Sequence, residues 1–147
     1  MLKNLDPLLG PDLLSILAAM GHGDELAIVD ANFPAAALAR RLVRLDGVGA
    51  TPVLQAVVSV LPLDDFVDSP VTVMQVVGRP EQVPETVREF QQVVNRAESK
   101  EIQVTPIDRY AFYDRARAAF AIVATGETRL YGNVLVKKGV IRPSAPA

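Results

Sequence analysis

Residues 18–34, AAMGHGDELAIVDANFP, decide how this chain folds. They close a helical pattern, turn on two glycines and enter a buried strand. Upstream, Gly10-Pro11-Asp12 leads into Leu13, Leu14, Ile16, Leu17 and Met20. That is helical spacing with proline at the first position, where its missing N–H costs nothing. Gly21 is then expected to supply the left-handed residue that stops the helix. ELAIVD, residues 25–30, is a short apolar run bounded by polar residues. Such a run fits a strand covered on both faces, as parallel strands are. Asp30 falls at its C-terminal end.

The same alternation continues outward. RRLVRLDG (40–47) could finish a helix or make a short strand, the strand being the preferred reading, and Thr51-Pro52 opens a second helix with Leu54, Val57, Val58 and Leu61 on one face. VTVMQVVG (71–78) is β-branched and reads as a buried strand. Residues 84–97 carry Val87, Phe90, Val94 and Ala97 at helical intervals. Strands are expected at 101–108, at 121–127 ending in a turn, and at 131–141, with a helix over 111–120. Helices alternating with strands make the class α/β: a single domain over 1–142, with a central mixed sheet and helices on both faces. The tail 143–147, within RPSAPA, is expected to be disordered.

Composition bounds the function. The chain has 147 residues, half of them hydrophobic, a formal net charge of −2, one histidine and no cysteine. No disulfide or thiolate metal site can form, one His offers little to a transition metal, and a reducing cytoplasm is the simplest setting. No apolar run reaches the length that spans a bilayer. Mixed charge of small net value argues against nucleic acid, whose binding rests on phosphate neutralisation. A soluble cytoplasmic protein without membrane or nucleic-acid partners is expected.

His22 is the first candidate for chemistry. A lone histidine in a loop is ordinarily a solvated surface residue. Here Gly21 and Gly23 clear space around it, and Asp24 and Glu25 offer carboxylates that could orient it. The turn is also expected to aim it at the strand end where Asp30 sits, since α/β sheets bind ligands at strand C-termini. An imidazole serves as acid or base near neutral pH. Arg109, in PIDRYAFYDRARAAF, closes a strand before a helix and offers five fixed donors; the plain alternative is pairing with Asp108. Tyr131-Gly132-Asn133 places a phenol and an amide on one side if the segment is extended. Arg40, Arg41 and Arg44 form a solvated or subunit-contacting cluster, and GVGATP lacks the features of a phosphate loop. The set suits proton transfer on a polyhydroxylated molecule.

MGHGDELAIVDANFP, RYAFYDRARAAFAIVATGE and YGNVLVKKGV, in this order and spacing, resemble the ribose pyranase / L-fucose mutarotase family. The resemblance runs from LDPLLGPDLL to KKGVI. It implies a cofactor-free, metal-free cytoplasmic isomerase acting on a free monosaccharide, with His22 as the acid/base. Asp30, Arg109, Tyr131, Gly132 and Asn133 would bind the sugar. Arg109 points to the fucose branch, because the pyranases tend to carry His there. Asn32 stands where some fucose-type members have His. The resemblance also implies a homo-oligomer, typically a decamer, in which the Tyr131–Asn133 segment reaches a neighbouring subunit's site. The alternatives are a D-ribose pyranase and a non-catalytic sugar-binding protein.

Overall fold

A computed structural model describes residues 1–144. Among these residues eleven elements follow one another: α1 (Pro11–Ala19), β1 (Glu25–Val29), α2 (Ala35–Leu38), β2 (Leu42–Leu45), α3 (Ala50–Val58), β3 (Val71–Met74), α4 (Glu85–Glu98), β4 (Val104–Ile107), α5 (Arg109–Ala118), β5 (Ala121–Thr125) and β6 (Val134–Lys137). The strands form a six-stranded sheet in the order β2-β5-β1-β6-β3-β4. β1 is parallel to β5 and antiparallel to β6, and β3 is parallel to β4 and antiparallel to β6. Only β6 therefore runs against the rest. The expected mixed sheet is present.

Pleating sends alternate residues to opposite faces and so builds two cores. Leu26, Ile28, Val123, Val134 and Val136 pack with α1, α3 and α4. Ala27, Val29, Ile122, Ala124 and Leu135 pack with α2 and α5 on the other face. All five residues of β5 are buried, as the continuous apolar run predicts for a strand covered twice. Phe112 of α5 is fully buried, which contributes about 1.5–3 kcal/mol and anchors that helix. Pro106 sits on β4, an edge strand that can spare a donor. Among the described residues no helix is long and apolar enough to cross a membrane.

Three local expectations give way, and one short helix escaped the sequence. Gly21 is not a left-handed cap: α1 ends at Met20 in extended conformation, φ −63° and ψ 139°. The last helical carbonyls are satisfied instead by Lys138 Nζ, which donates to Leu17 O (3.1 Å) and Met20 O (2.5 Å). The left-handed glycine is Gly23, φ +87°. The strand expected over 71–78 stops at Met74, because residues 76–79 turn back with Gly78 at φ +79°. The last strand begins at Val134, so Tyr131 and Asn133 are not alternate residues of an extended segment. Finally, α2 went unread, since four residues are too few to show a period. Of the tail expected to be disordered, residues 145–147 lie outside the described residues.

Candidate active site

Five parallel strands end at one edge of the sheet, and the entry to β6 meets them there. Asp30 follows β1 directly and is buried; Asn133 precedes β6 and is buried beside it. The two lock reciprocally: Asp30 N–H donates to Asn133 Oδ1 (2.8 Å), and Asn133 Nδ2 donates to Asp30 Oδ2 (3.1 Å). Asp30 Oδ1 accepts from the Asn32 N–H at 3.0 Å, an Asx turn. Burial pushes the Asp30 carboxyl above its ordinary value, and the hydrogen bonds from Asn32, Asn133, Gly132 and Phe33 only partly offset it.

Gly132 is there because nothing larger fits. A Cβ would lie 2.7 Å from Glu127 Cγ and 3.4 Å from Asp30 Cβ. Tyr131 adopts φ +60°, a left-handed conformation that bulky residues rarely occupy. Its hydroxyl accepts from the Val77 N–H (2.9 Å), and its carbonyl accepts from Thr86 Oγ1 (3.2 Å). Arg109 is the first residue of α5, where Asp108 caps the helix by accepting from Tyr110 and Ala111. Asp108 is thus a cap and not the partner of Arg109. The guanidinium lies over the Tyr110 ring, 4.7 Å from its centroid, and Nη2 donates to the Tyr110 hydroxyl at 2.6 Å. Among the described residues its buried Nε meets no hydrogen-bond partner. An open pocket of about 400 Å³ adjoins it, lined by Gln75, Val76, Val77 and Tyr110 among others.

His22 lies at the other edge. It precedes β1 whereas Asp30 follows it, and the strand's five residues span about 17 Å at ~3.3 Å each. The turn therefore does not aim His22 at Asp30 of the same chain. Nor do Asp24 and Glu25 orient it: Asp24 accepts from the Gly21 N–H, and Glu25 pairs with Arg115. The partner is Asp64, whose Oδ1 lies 2.9 Å from His22 Nε2. β6 brings them together, because Gly23 donates to Lys138 O and Asp64 donates to Lys137 O. The Asp64 side chain is only 3% exposed, against 43% for His22, whose ring packs on Phe66 at 4.8 Å. Burial opposes the charge on Asp64, but the Phe66 N–H, His22 and Lys137 together hold its carboxyl below the ordinary value.

The structure thus groups Asp30, Gly132 and Asn133, with Tyr131 beside them and Arg109 close to Tyr131, and sets His22 apart. The C-terminal segment sits on Asp30 of its own chain. Sequence reasoning missed Asp64 and Glu127. Asp64 lies 42 residues from His22, and nothing local in LPLDDF marks it. Glu127 carried one readable sign, a carboxylate straight after the buried run AIVATG.

Residues 3–141 match the profile of the RbsD / FucU transport protein family. The L-fucose mutarotase of Actinobacillus pleuropneumoniae serotype 5b is 39% identical over 140 residues, covering 95% of this chain and 97% of that one. The human fucose mutarotase is 44% identical, covering 95% and 94%. Among solved structures, the fucose mutarotase of Streptococcus pneumoniae in complex with L-fucose is 40% identical, with a TM-score of 0.89, covering 96% of this chain and all of that one. Bacillus subtilis RbsD complexed with D-ribose, 18% identical with a TM-score of 0.70, shares the fold.

Proposed function

From the premise that this chain belongs to the RbsD / FucU family, we propose that it is a mutarotase interconverting the α and β anomers of L-fucose. The observation that carries the reading is full-length similarity to fucose mutarotases in a chain whose sheet edge gathers Asp30, Arg109, Tyr131 and Asn133. A carboxylate, a guanidinium, a phenol and an amide suit the hydroxyls of a sugar.

Mutarotation opens the ring C1–O bond and recloses it on the other face of the aldehyde. A base takes the proton of the anomeric hydroxyl, an acid protonates the ring oxygen, and both transfers reverse on closure. His22 suits this role. Ionised Asp64 can only accept, so in the neutral imidazole the proton sits on Nε2 and Nδ1 is left as the base. Asp64 also stabilises the imidazolium formed when Nδ1 takes the proton. Since His22 and Asp30 lie at opposite edges of one chain, the reading requires His22 of a neighbouring copy to meet the Asp30 edge. Head-to-tail contact of that kind builds a ring where its rotation closes. The reading therefore carries with it a cytoplasmic homo-oligomer, decameric as the family typically is.

Saturation-transfer NMR between the anomeric protons of L-fucose tests the proposal. The protein should speed exchange over buffer, and His22→Ala should remove ~10²–10⁴-fold of that acceleration, the usual contribution of one acid/base. No acceleration by the wild type sinks the assignment for L-fucose. Acceleration of ribopyranose–ribofuranose exchange in its place identifies the pyranase reaction.

A further inference from the structure

A polar cluster behind the candidate site is not used by the mechanism above. Glu127 is buried, with 5% of its surface exposed. Its Oε1 accepts from the Ala50 N–H at the start of α3 (3.3 Å) and from Arg129 Nη2 (3.0 Å). Its Oε2 accepts from the Arg129 N–H (3.2 Å) and Nε (3.1 Å). The far side of the same guanidinium meets Glu89 of α4 as a two-pronged pair, Nη1 to Oε2 at 2.6 Å and Nη2 to Oε1 at 3.0 Å. Thr51 Oγ1 donates to Glu89 Oε1 at 2.7 Å, and Glu85 stands 3.8 Å from Arg129. One guanidinium thus bridges two carboxylates from separate elements, the bidentate use for which Arg and not Lys is shaped.

This cluster lies directly against the sugar-binding turn. The Gly132 backbone runs between the Glu127 and Asp30 side chains, and Glu127 O accepts from the Ala31 N–H at 2.9 Å. Between Arg129 and Gly132 lies Tyr131, whose left-handed backbone must be imposed by its surroundings. We propose that Glu127, Arg129 and Glu89 form a clamp that positions the Tyr131–Asn133 turn, and through it Asp30, for sugar. Arg129 touches no reacting atom in this scheme and is a positioning residue. The effect on activity rests on the mutarotase reading; the effect on the turn does not.

The test compares the full-length wild type with Arg129→Met, Arg129→Lys, Glu89→Gln and the Arg129→Met/Glu89→Gln double variant. Arg129→Met should raise the half-saturating L-fucose concentration about tenfold, the population cost of one relaxed left-handed residue. Its maximal exchange rate should stay within about twofold, since binding and not chemistry is lost. Amide hydrogen exchange should quicken at Val77 and Ala31, which donate to the Tyr131 hydroxyl and to Glu127 O, while Leu135 inside β6 stays protected. Arg129→Lys should recover part of both effects, and the double variant should be no worse than Arg129→Met alone. Unchanged half-saturation with unchanged Val77 and Ala31 protection overturns the clamp. So does equal loss of protection at Leu135, which marks general destabilisation. If the wild type itself fails to accelerate fucose exchange, the mutarotase reading falls, and the amide measurements still decide the clamp.

Discussion

At the scale of single residues, a hydrogen bond does most to define the histidine's chemistry. His22 is surface-exposed, as a lone loop histidine ordinarily is, yet one ring nitrogen is held by an almost wholly buried carboxylate. In the proposed mechanism that contact sets which nitrogen acts as base. Asp64→Asn keeps an oxygen for the Phe66 N–H but removes the charge that favours the imidazolium. It should slow anomer exchange on the order of 10²-fold at an unchanged melting temperature, read by NMR and calorimetry. Full activity in that variant would show that Asp64 does not set the role of His22. Asp64 itself was illegible in the sequence because its partner is distant along the chain. Asp30 was legible, because an acid that ends a buried strand must find partners or stay near solvent. Its partner Asn133 was legible as a residue type, not as a contact.

Among elements, α5 and α4 do most to shape the site. Asp108 caps α5 two residues earlier than apolar spacing alone indicated, which makes Arg109 its first helical residue. Periodicity finds the middle of a helix, whereas its start is set by a side chain bonding to backbone. α4 was readable almost to the residue, because its apolar face is wide and regular. Its polar face was not readable as anything beyond solvated charge, yet Glu89 there grips Arg129. That pair has a pH signature. Arg129 and Thr51, against the opposing effect of burial, lower the Glu89 carboxyl from 4.5 to about 2. A depressed acid stabilises the fold above its unfolded-state pKa, and that stabilisation is lost as pH falls through the folded value. Stability measured by urea unfolding should therefore decline between pH 4.5 and about 2 in the wild type, and decline less in Glu89→Gln. Equal slopes in the two proteins would mean that Glu89 adds nothing to acid sensitivity.

For the whole molecule, the decisive fact is that His22 and Asp30 occupy opposite edges of the sheet. If the site is shared between copies, His22→Ala and Asp30→Asn are each inactive alone but complement each other. Unfolding the two together and refolding them as a mixture should restore about a quarter of wild-type activity, from interfaces that pair an intact His22 with an intact Asp30. A mixture no better than its parents would place the whole site in one chain or rule His22 out of it. The sequence by itself determined the class, the alternation of elements, the placing of helices on both faces and the identity of most candidate groups. These follow from local spacing and burial, which a chain carries in its own order. Only the tertiary structure decided who stands beside whom. A strand holds its two ends apart, so neighbours in sequence such as His22 and Asp30 are separated. β6, running against the other strands, brings Asn133 to Asp30 at one edge and links Gly23 and Asp64 at the other.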